Sequence, residues 1–327
     1  MKGSKKFIKK LLLFLSVLFV LLSLVQLVYF QTVESHDAFV QQWEKIRGAN
    51  KVTTVILGDS HVAFGIDQSM LPDSVFNFAY PGDQWTDMYI KSMYILRNKP
   101  KIRSFYIQLD EHNFYTGGVN ERKDGDPRLY RHVDSKILKS VFNLSFIDLL
   151  IKKLKAKFPL LSTRNRLKFE KVLFKNLYAF ISNNDWKPEH YYDENGRMHW
   201  AYHKEDLSLE SKKDYLGLAE AKAFDMHQLD KKMYPKSILA YTMLVDKLYK
   251  NDVQSTFFKM PVSQAYLKLR RVNTKNLPDK LKWWPDNVVN IDSIYQDSLF
   301  YFADPSHLNG EGQKRFTSYF KHHVLTN

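Results

Sequence analysis

The most informative segment of this 327-residue chain reads Lys51-Val52-Thr53-Thr54-Val55-Ile56-Leu57-Gly58-Asp59-Ser60-His61. Residues 51–57 form a β-branched, apolar run that stops at Gly58, a pattern typical of a buried strand that ends in a functional turn. In a parallel sheet, the carboxyl ends of the strands open toward ligands. The residues after Gly58 are therefore the first place to look for a reactive side chain.

The same strand pattern recurs along the chain, and helical patterns separate its occurrences. Further strands are predicted at residues 75–78, 104–109, 253–260 and 288–291. Helical periodicity covers residues 87–97, 237–250 and 310–324. Strands that alternate with helices predict an α/β fold, in which helices cover both faces of a parallel sheet. We expect one such domain over residues 51–327.

Residues 115–233 interrupt this alternation. The stretch is too long for one crossover connection, so we interpret it as a mainly helical insertion. Between residues 150 and 176 only Glu170 opposes nine basic side chains: Lys152, Lys153, Lys155, Lys157, Arg164, Arg166, Lys168, Lys171 and Lys175. Two interpretations stay open: a solvated helix face, or a surface held against anionic headgroups or an anionic polymer. Near an acidic membrane, each Lys or Arg contributes roughly 1 kcal/mol.

The N-terminal region predicts a membrane anchor. Five lysines in residues 1–10 precede residues 11–33, which contain no Asp, Glu, Lys, Arg or His. At about 1.5 Å per residue, this run spans the hydrocarbon core of a bilayer. A cleaved signal peptide also begins with basic residues, but its apolar region is shorter and ends in small residues. We therefore predict a cytoplasmic tail at 1–10, a transmembrane anchor at 11–33 and a helical stalk at 34–50. The main domain then lies outside the cytoplasm.

Composition excludes several function classes. The formal net charge is +14, which on an outward-facing domain fits an anionic membrane or wall polymer rather than nucleic acid. The chain has no Cys, so disulfides, thiol catalysis and Cys-based metal sites are excluded. His199 and His203 have helical spacing but lack the glutamate of the zinc motif, and no glycine-rich phosphate loop occurs. We predict no metal and no cofactor.

Two short motifs supply the residues of an activated serine. Gly58, Asp59 and Ser60 follow the first strand, whereas Asp304 and His307 precede the last predicted helix. A serine hydroxyl is a poor nucleophile until a base takes its proton, and that base needs a carboxylate to fix its tautomer. Each motif is weak alone. Together they predict Ser60 as the nucleophile, His307 as the general base and Asp304 as the orienting acid.

On these residues the sequence resembles the SGNH/GDSL hydrolase superfamily, over about residues 51–110 and 235–325. The resemblance implies a flavodoxin-like three-layer α/β/α sandwich with the nucleophile just after strand one. The first family block matches Gly58-Asp59-Ser60, and the last matches Asp304 and His307.

The resemblance also implies an oxyanion hole. The second family block contributes a glycine whose backbone N–H holds the oxyanion, and Gly82 is the matching residue. The third block departs from the usual G-x-N-D, since the chain reads Leu109-Asp110-Glu111-His112-Asn113-Phe114. Either Asn113 or His112 is placed to supply a side-chain donor beside the Ser60 and Gly82 amides.

Three further residues are candidates for substrate contact, together with His112. Asp59 is either such a contact or a helix cap. His61 is suited to hydrogen bonding or substrate contact rather than to the role of base, because adjacent side chains point in different directions. Trp85 follows Gly82 closely and is placed to stack on a sugar ring at the mouth of the site.

The resemblance to membrane-anchored branches of the superfamily implies a bacterial single-pass protein acting in the cell envelope. The expected function is that of a serine O-acyl esterase or O-acyltransferase working on an envelope glycan or glycolipid through an acyl-enzyme. For transfer, the expected partner is a multi-spanning membrane acyltransferase. One alternative is a non-catalytic SGNH-like module that binds glycan or assists a membrane complex. A lipase-like enzyme acting on membrane lipids is a second.

Overall fold

Two β-sheets are present in the computed structural model, which describes residues 2–34, 37–114, 126–158, 190–192, 198–200, 235–264, 266, 285, 288–295, 298–304 and 306–325. The strands are β1 Thr54–Leu57, β2 Val75–Asn77, β3 Ser104–Gln108, β4 His190–Tyr192, β5 Met198–Trp200, β6 Gln254–Lys259 and β7 Val288–Asn290. Five of them form a wholly parallel sheet in the order β2-β1-β3-β6-β7. Strands β4 and β5 pair as a separate antiparallel hairpin.

Helices occupy most of the other described residues. They are α1 Lys2–Tyr29, α2 Ala38–Gly48, α3 Ser60–Gly65, α4 Trp85–Asn98, α5 Leu129–His132, α6 Ser135–Phe142, α7 Phe146–Lys157, α8 Pro235–Lys250 and α9 Gly310–His323. A π-helical turn covers Phe30–Glu34, and 3₁₀ turns cover Gln68–Met70, Glu111–Phe114 and Leu299–Tyr301. The predicted α/β class and parallel sheet are confirmed. Strand β1 begins at Thr54, three residues after its expected start. The other strands of this sheet and the helices expected at 87–97, 237–250 and 310–324 have boundaries within two residues of those expected.

Helices pack on both faces of the central sheet. Successive side chains of a strand point to opposite faces, and two neighbouring phenylalanines of β6 illustrate this. The ring of Phe257 lies 6.2 Å from that of Tyr241 on α8, whereas Phe258 lies 5.0 Å from Phe320 on α9. The sheet is therefore the middle layer of three.

Strand β1 lies at the topological switch point of the sheet. Counting only its five strands, the order is 2-1-3-4-5, the order of flavodoxin-like doubly wound sheets. The chain adds β2 on one side of β1 and then crosses to add β3 on the other. Such a switch point opens a crevice beyond the carboxyl ends of the strands. The segment that begins at Gly58 enters this crevice.

Helix α2 was predicted as a stalk, but it belongs to the core of the domain. Trp43 is fully buried, and its ring packs edge-on against Phe78 at 4.9 Å and Tyr94 at 4.8 Å. The side chain of Gln42 also donates a hydrogen bond to the carbonyl of Ala79 at 2.6 Å. The domain therefore begins near residue 38 rather than 51, because α2 buries one face against α4 and the residues that follow β2.

The described part of the insertion contains α5, α6, α7 and the β4–β5 hairpin. The three short helices agree with the helical prediction, whereas the hairpin was not predicted. Helix α7 carries Lys152, Lys153, Lys155 and Lys157. The rest of the predicted basic segment lies outside the described residues.

Helix α1 is long and apolar enough to cross a membrane over Lys6–Tyr29, a test that an anchor and a signal sequence both pass. The apolar window of this helix is not buried against the rest of the chain. At the end of the π-helical turn that follows α1, Glu34 forms an ion pair of 2.5 Å with Arg131 of α5. The guanidinium of Arg131 also lies 5.3 Å from the ring of Phe30. The chain leaving α1 is thus attached to the domain directly.

Candidate active site

Ser60 begins α3, immediately beyond β1. The carboxylate of Asp59 caps this helix by accepting a 2.9 Å hydrogen bond from the backbone N–H of His61. The N–H of Asp59 donates to the side-chain oxygen of Gln108 at 2.8 Å, which ties the turn to β3. A Cβ on Gly58 would lie 2.5 Å from that same oxygen, so only glycine permits the approach. Asp59 is buried in this arrangement, which fits the cap interpretation rather than substrate contact.

The loop before α9 presents His307. One carboxylate oxygen of Asp304 accepts hydrogen bonds from the backbone N–H groups of Ser306 and His307, at 2.8 and 2.9 Å. The N–H of Ala303 donates back to the carbonyl of His307 at 2.9 Å, and Asn309 caps α9. Asp304 therefore both folds the loop and faces the imidazole.

The two motifs meet although they lie at opposite ends of the domain sequence. The Oγ atom of Ser60 lies 2.8 Å from Nε2 of His307, and Nδ1 of His307 lies 2.7 Å from Oδ2 of Asp304. The carboxylate selects the tautomer in which Nδ1–H donates to it, which leaves Nε2 to accept the hydroxyl proton. The predicted Ser60, His307 and Asp304 thus form a continuous hydrogen-bonded series.

The surroundings of His307 favour its charged form. Burial lowers the pKa of the imidazole, but the charge and hydrogen bond of Asp304 and the more distant charge of Asp59 together raise it above its ordinary value. An imidazole with a raised pKa is a stronger base toward a neighbouring hydroxyl. The arrangement is therefore suited to removing a proton from Ser60.

A second histidine–carboxylate pair adjoins the first. The ring of His61 lies 4.8 Å from that of His307, and its Nδ1 lies 3.2 Å from Oδ2 of Asp110. The side-chain N–H of Gln108 donates to the same Asp110 oxygen. Asp110 and Gln108 are fully buried. Neither residue was predicted to lie beside Ser60, although a glutamine inside a buried strand was a usable signal.

The turn that carries Gly82 lies at the same edge of the sheet. The carbonyl of Tyr80 accepts from the N–H of Asp83 at 2.9 Å, which places Pro81 and Gly82 at the centre of the turn. Gly82 has a φ of 80°, as glycine does at this position of a type II turn. The N–H of Tyr80 donates to the carbonyl of Gly58 at 3.3 Å. The part of Gly82 in an oxyanion hole stays a prediction.

A buried lysine supports this turn. Lys91 of α4 is fully buried, and its ammonium donates to Oδ2 of Asp83 at 2.5 Å and to the carbonyl of Phe78 at 2.7 Å. The carboxylate of Asp83 in turn accepts from the N–H of Tyr80 at 3.2 Å. One ion pair therefore joins α4 to the Gly82 turn.

Lys91→Met is expected to lower the free energy of unfolding by about 3–5 kcal/mol, because it removes the ammonium facing a buried carboxylate. Adding Asp83→Asn is expected to restore part of this stability. The control is Lys250→Met, since Lys250 pairs with Asp246 on the surface, where such pairs contribute about 0–1 kcal/mol. Urea unfolding in detergent, followed by tryptophan fluorescence, measures all three variants. A single Lys91→Met variant as stable as the Lys250 control would contradict this role.

The remaining predicted residues differ in their placement. Trp85 is fully buried, and its ring packs 5.1 Å from Phe114 and 4.8 Å from Tyr241, so the prediction that it stacks on a sugar is wrong. Asn113 lies in the 3₁₀ turn after β3, and its side-chain nitrogen is buried with no hydrogen-bond partner among the described residues. The side chain of His112 lies outside the described part. The choice between Asn113 and His112 therefore stays open.

Among the described residues, no group of three or more His, Asp or Glu side chains is arranged to hold a metal ion. No protein-family model matches the chain, and no curated protein is significantly similar to it. The site geometry and the sequence motifs that form it are therefore the basis for assigning a function.

Proposed function

We propose that this chain is a membrane-anchored serine O-acyl esterase or O-acyltransferase of the SGNH/GDSL type. One observation carries the proposal: Ser60, His307 and Asp304 form a hydrogen-bonded series at the switch point of a parallel sheet. This arrangement suits acyl transfer, since the attack on the carbonyl uses a nucleophile, a base and an orienting carboxylate.

In the first step, Ser60 Oγ attacks the carbonyl carbon of an ester while its proton passes to Nε2 of His307. The tetrahedral intermediate collapses when His307 returns that proton to the leaving alcohol, and an acyl-Ser60 ester remains. Water or a sugar hydroxyl then attacks this ester, losing its proton to His307. Collapse of the second intermediate returns the proton to Ser60 and releases the acid or the new ester.

The negative oxygen of both intermediates needs hydrogen-bond donors. The backbone N–H groups of Ser60 and Gly82 are our candidates, with Asn113 or His112 as an additional side-chain donor. Loss of one such donor typically costs about 10²–10³-fold in kcat.

The substrate class follows from location and charge. The proposed anchor α1 keeps the domain at the outer surface of a bacterial cytoplasmic membrane, where acylated envelope glycans and glycolipids are within reach. The basic segment of the insertion is complementary to anionic forms of these polymers. For transfer rather than hydrolysis, a multi-spanning membrane acyltransferase would supply the acyl group from the cytoplasmic side.

The test is labelling of the detergent-solubilised full chain with a fluorophosphonate, which reacts with activated serines. We expect one adduct, on the peptide that contains Ser60, identified by mass spectrometry after digestion. The peptide that contains Ser306 is the internal control, and heat-unfolded protein is expected to remain unlabelled. A well-folded chain with no adduct at Ser60 would favour the non-catalytic module, for which the altered third block is the motivating observation.

A further inference from the structure

Helix α7 exposes an apolar face. Outside α1, nine large hydrophobic side chains of the described residues are exposed, and six of them lie on α7 or at its end: Phe146, Ile147, Leu150, Ile151, Leu154 and Phe158. Phe146 and Ile147 are 68% and 66% exposed. Single exposed hydrophobic residues are ordinary on a protein surface, but a contiguous group marks an interaction site.

The exposed residues lie together on one side of the helix. At about 100° per residue, they cover an arc of roughly 140°. Leu149 and Ala156 are buried and lie on the opposite side, toward the domain. The helix thus has one apolar side that packs on the protein and another that faces outward.

Positive charge accompanies this outward face. Residues 135–158, which contain α6 and α7, include only one acidic residue, Asp148, and six lysines: Lys136, Lys139, Lys152, Lys153, Lys155 and Lys157. Lys155 and Lys157 are exposed near the end of the apolar face. An apolar face with lysines at its borders is typical of a helix that lies in the interface of an anionic membrane.

Helix α7 is also close to the end of α1. Arg131 of α5 pairs with Glu34 at 2.5 Å, where the chain leaves α1. The preceding residue of α5 is Tyr130, and the ammonium of Lys152 of α7 lies 5.6 Å from the centre of its ring. Through α5, these two side-chain contacts connect the end of α1 to α7.

We propose that α7 lies in the interface of the membrane that α1 crosses, with its apolar face among the acyl chains and its lysines at anionic headgroups. This inference goes beyond the proposed enzyme activity. Of the proposed function, it rests only on α1 being a membrane anchor. With two attachments, α1 and α7, the domain is held in one orientation over the bilayer. The surrounding lysines and the short connection to α1 favour a lipid surface over a protein partner.

The natural absence of Cys makes a direct test available, because a single introduced Cys carries the only fluorescent label. We would label Leu150→Cys with an environment-sensitive fluorophore in the full chain, reconstituted in vesicles of phosphatidylcholine and phosphatidylglycerol that contain a lipid-attached nitroxide quencher. Leu18→Cys in α1 is the membrane control. Tyr249→Cys on α8 is the water control, since Tyr249 is 86% exposed. We expect the labels at 150 and 18 to lose most of their fluorescence, and the label at 249 to keep it.

The anionic lipid provides a second measurement. Quenching at 150 is expected to decrease when phosphatidylglycerol is omitted, or when Lys155 and Lys157 are replaced by Glu, whereas quenching at 18 stays unchanged.

A label at 150 that behaves like the one at 249 while 18 is quenched would overturn the inference and leave the anchor intact. Equal quenching at 249 would overturn it as well. If 18 is not quenched either, the anchor and the inference both fail. A label at 150 that reports an apolar environment in native membranes but not in pure lipid vesicles would overturn the lipid assignment and indicate a protein partner.

Discussion

Ser60→Ala is expected to lower kcat for hydrolysis of a small aryl ester such as p-nitrophenyl acetate by about 10⁶-fold. The variant removes the oxygen that attacks the carbonyl and the proton that His307 takes. Asp59, rather than Ser60, caps α3, so the fold is expected to survive. Steady-state kinetics in detergent measure the loss, and an unchanged midpoint of thermal unfolding shows that structure is retained.

Ser306→Ala is the matched control for this experiment. The Oγ of Ser306 lies 3.0 Å from Oδ1 of Asp304 and 3.2 Å from Nδ1 of His307, so it belongs to the same loop. Ser306 lies beside Nδ1 of His307 rather than Nε2, so the imidazole does not activate its hydroxyl as a nucleophile. We therefore expect the loss of this hydroxyl to have a small effect on kcat. A Ser306→Ala variant that loses as much activity as Ser60→Ala, or a Ser60→Ala variant that stays active, would reassign the nucleophile.

The fold was predictable because β1, β2 and β3 are buried on both faces. In such strands nearly every residue is apolar, so β1 and β3 stand out from the helices between them. The parallel order then follows where a helix connects two strands, as α4 and α8 do before β3 and β6, because such a connection returns the chain to the same edge of the sheet.

The predictions for α2 and Trp85 failed for one physical reason. A sequence shows that a helix has an apolar side or that a residue is aromatic. It does not show which surface covers that side or that ring. Trp43 and Trp85 both pack against residues distant in sequence, and those partners are set by tertiary structure. Helix α2 was therefore wrongly placed outside the domain because it follows the anchor, and Trp85 was wrongly placed at the mouth of the site because it follows Gly82.

The residues of the candidate site divide in the same way. Ser60, His307 and Asp304 were predictable because their side-chain chemistry is specific and their strand and helix positions point to one edge of the sheet. Lys91 was not, because a lysine in an amphipathic helix normally faces solvent, and only the fold brings Asp83 to its ammonium. Asp110 and His61 likewise meet only when β1 and β3 are neighbours.

Asp304→Asn is expected to lower kcat by about 10⁴-fold while leaving the loop folded. An asparagine oxygen can still accept from the N–H groups of Ser306 and His307, as Oδ1 does now. The amide nitrogen, however, would replace Oδ2 and donate to Nδ1 of His307. The imidazole would then carry its proton on Nε2, where it can no longer accept the proton of Ser60. Asp304→Glu, which keeps the charge but moves it, is expected to lose less activity.

The pH profile separates this effect on the imidazole from a general loss of structure. His307 must be neutral to act as a base, so activity rises with pH through its pKa. In the wild type, that pKa is raised above the ordinary value of about 6.5, mainly by Asp304 acting against the effect of burial. Asp304→Asn removes this charge, so the midpoint of the remaining activity is expected to move to lower pH. The dependence of kcat/KM on pH measures it, and an unchanged midpoint would show that Asp304 does not act through His307.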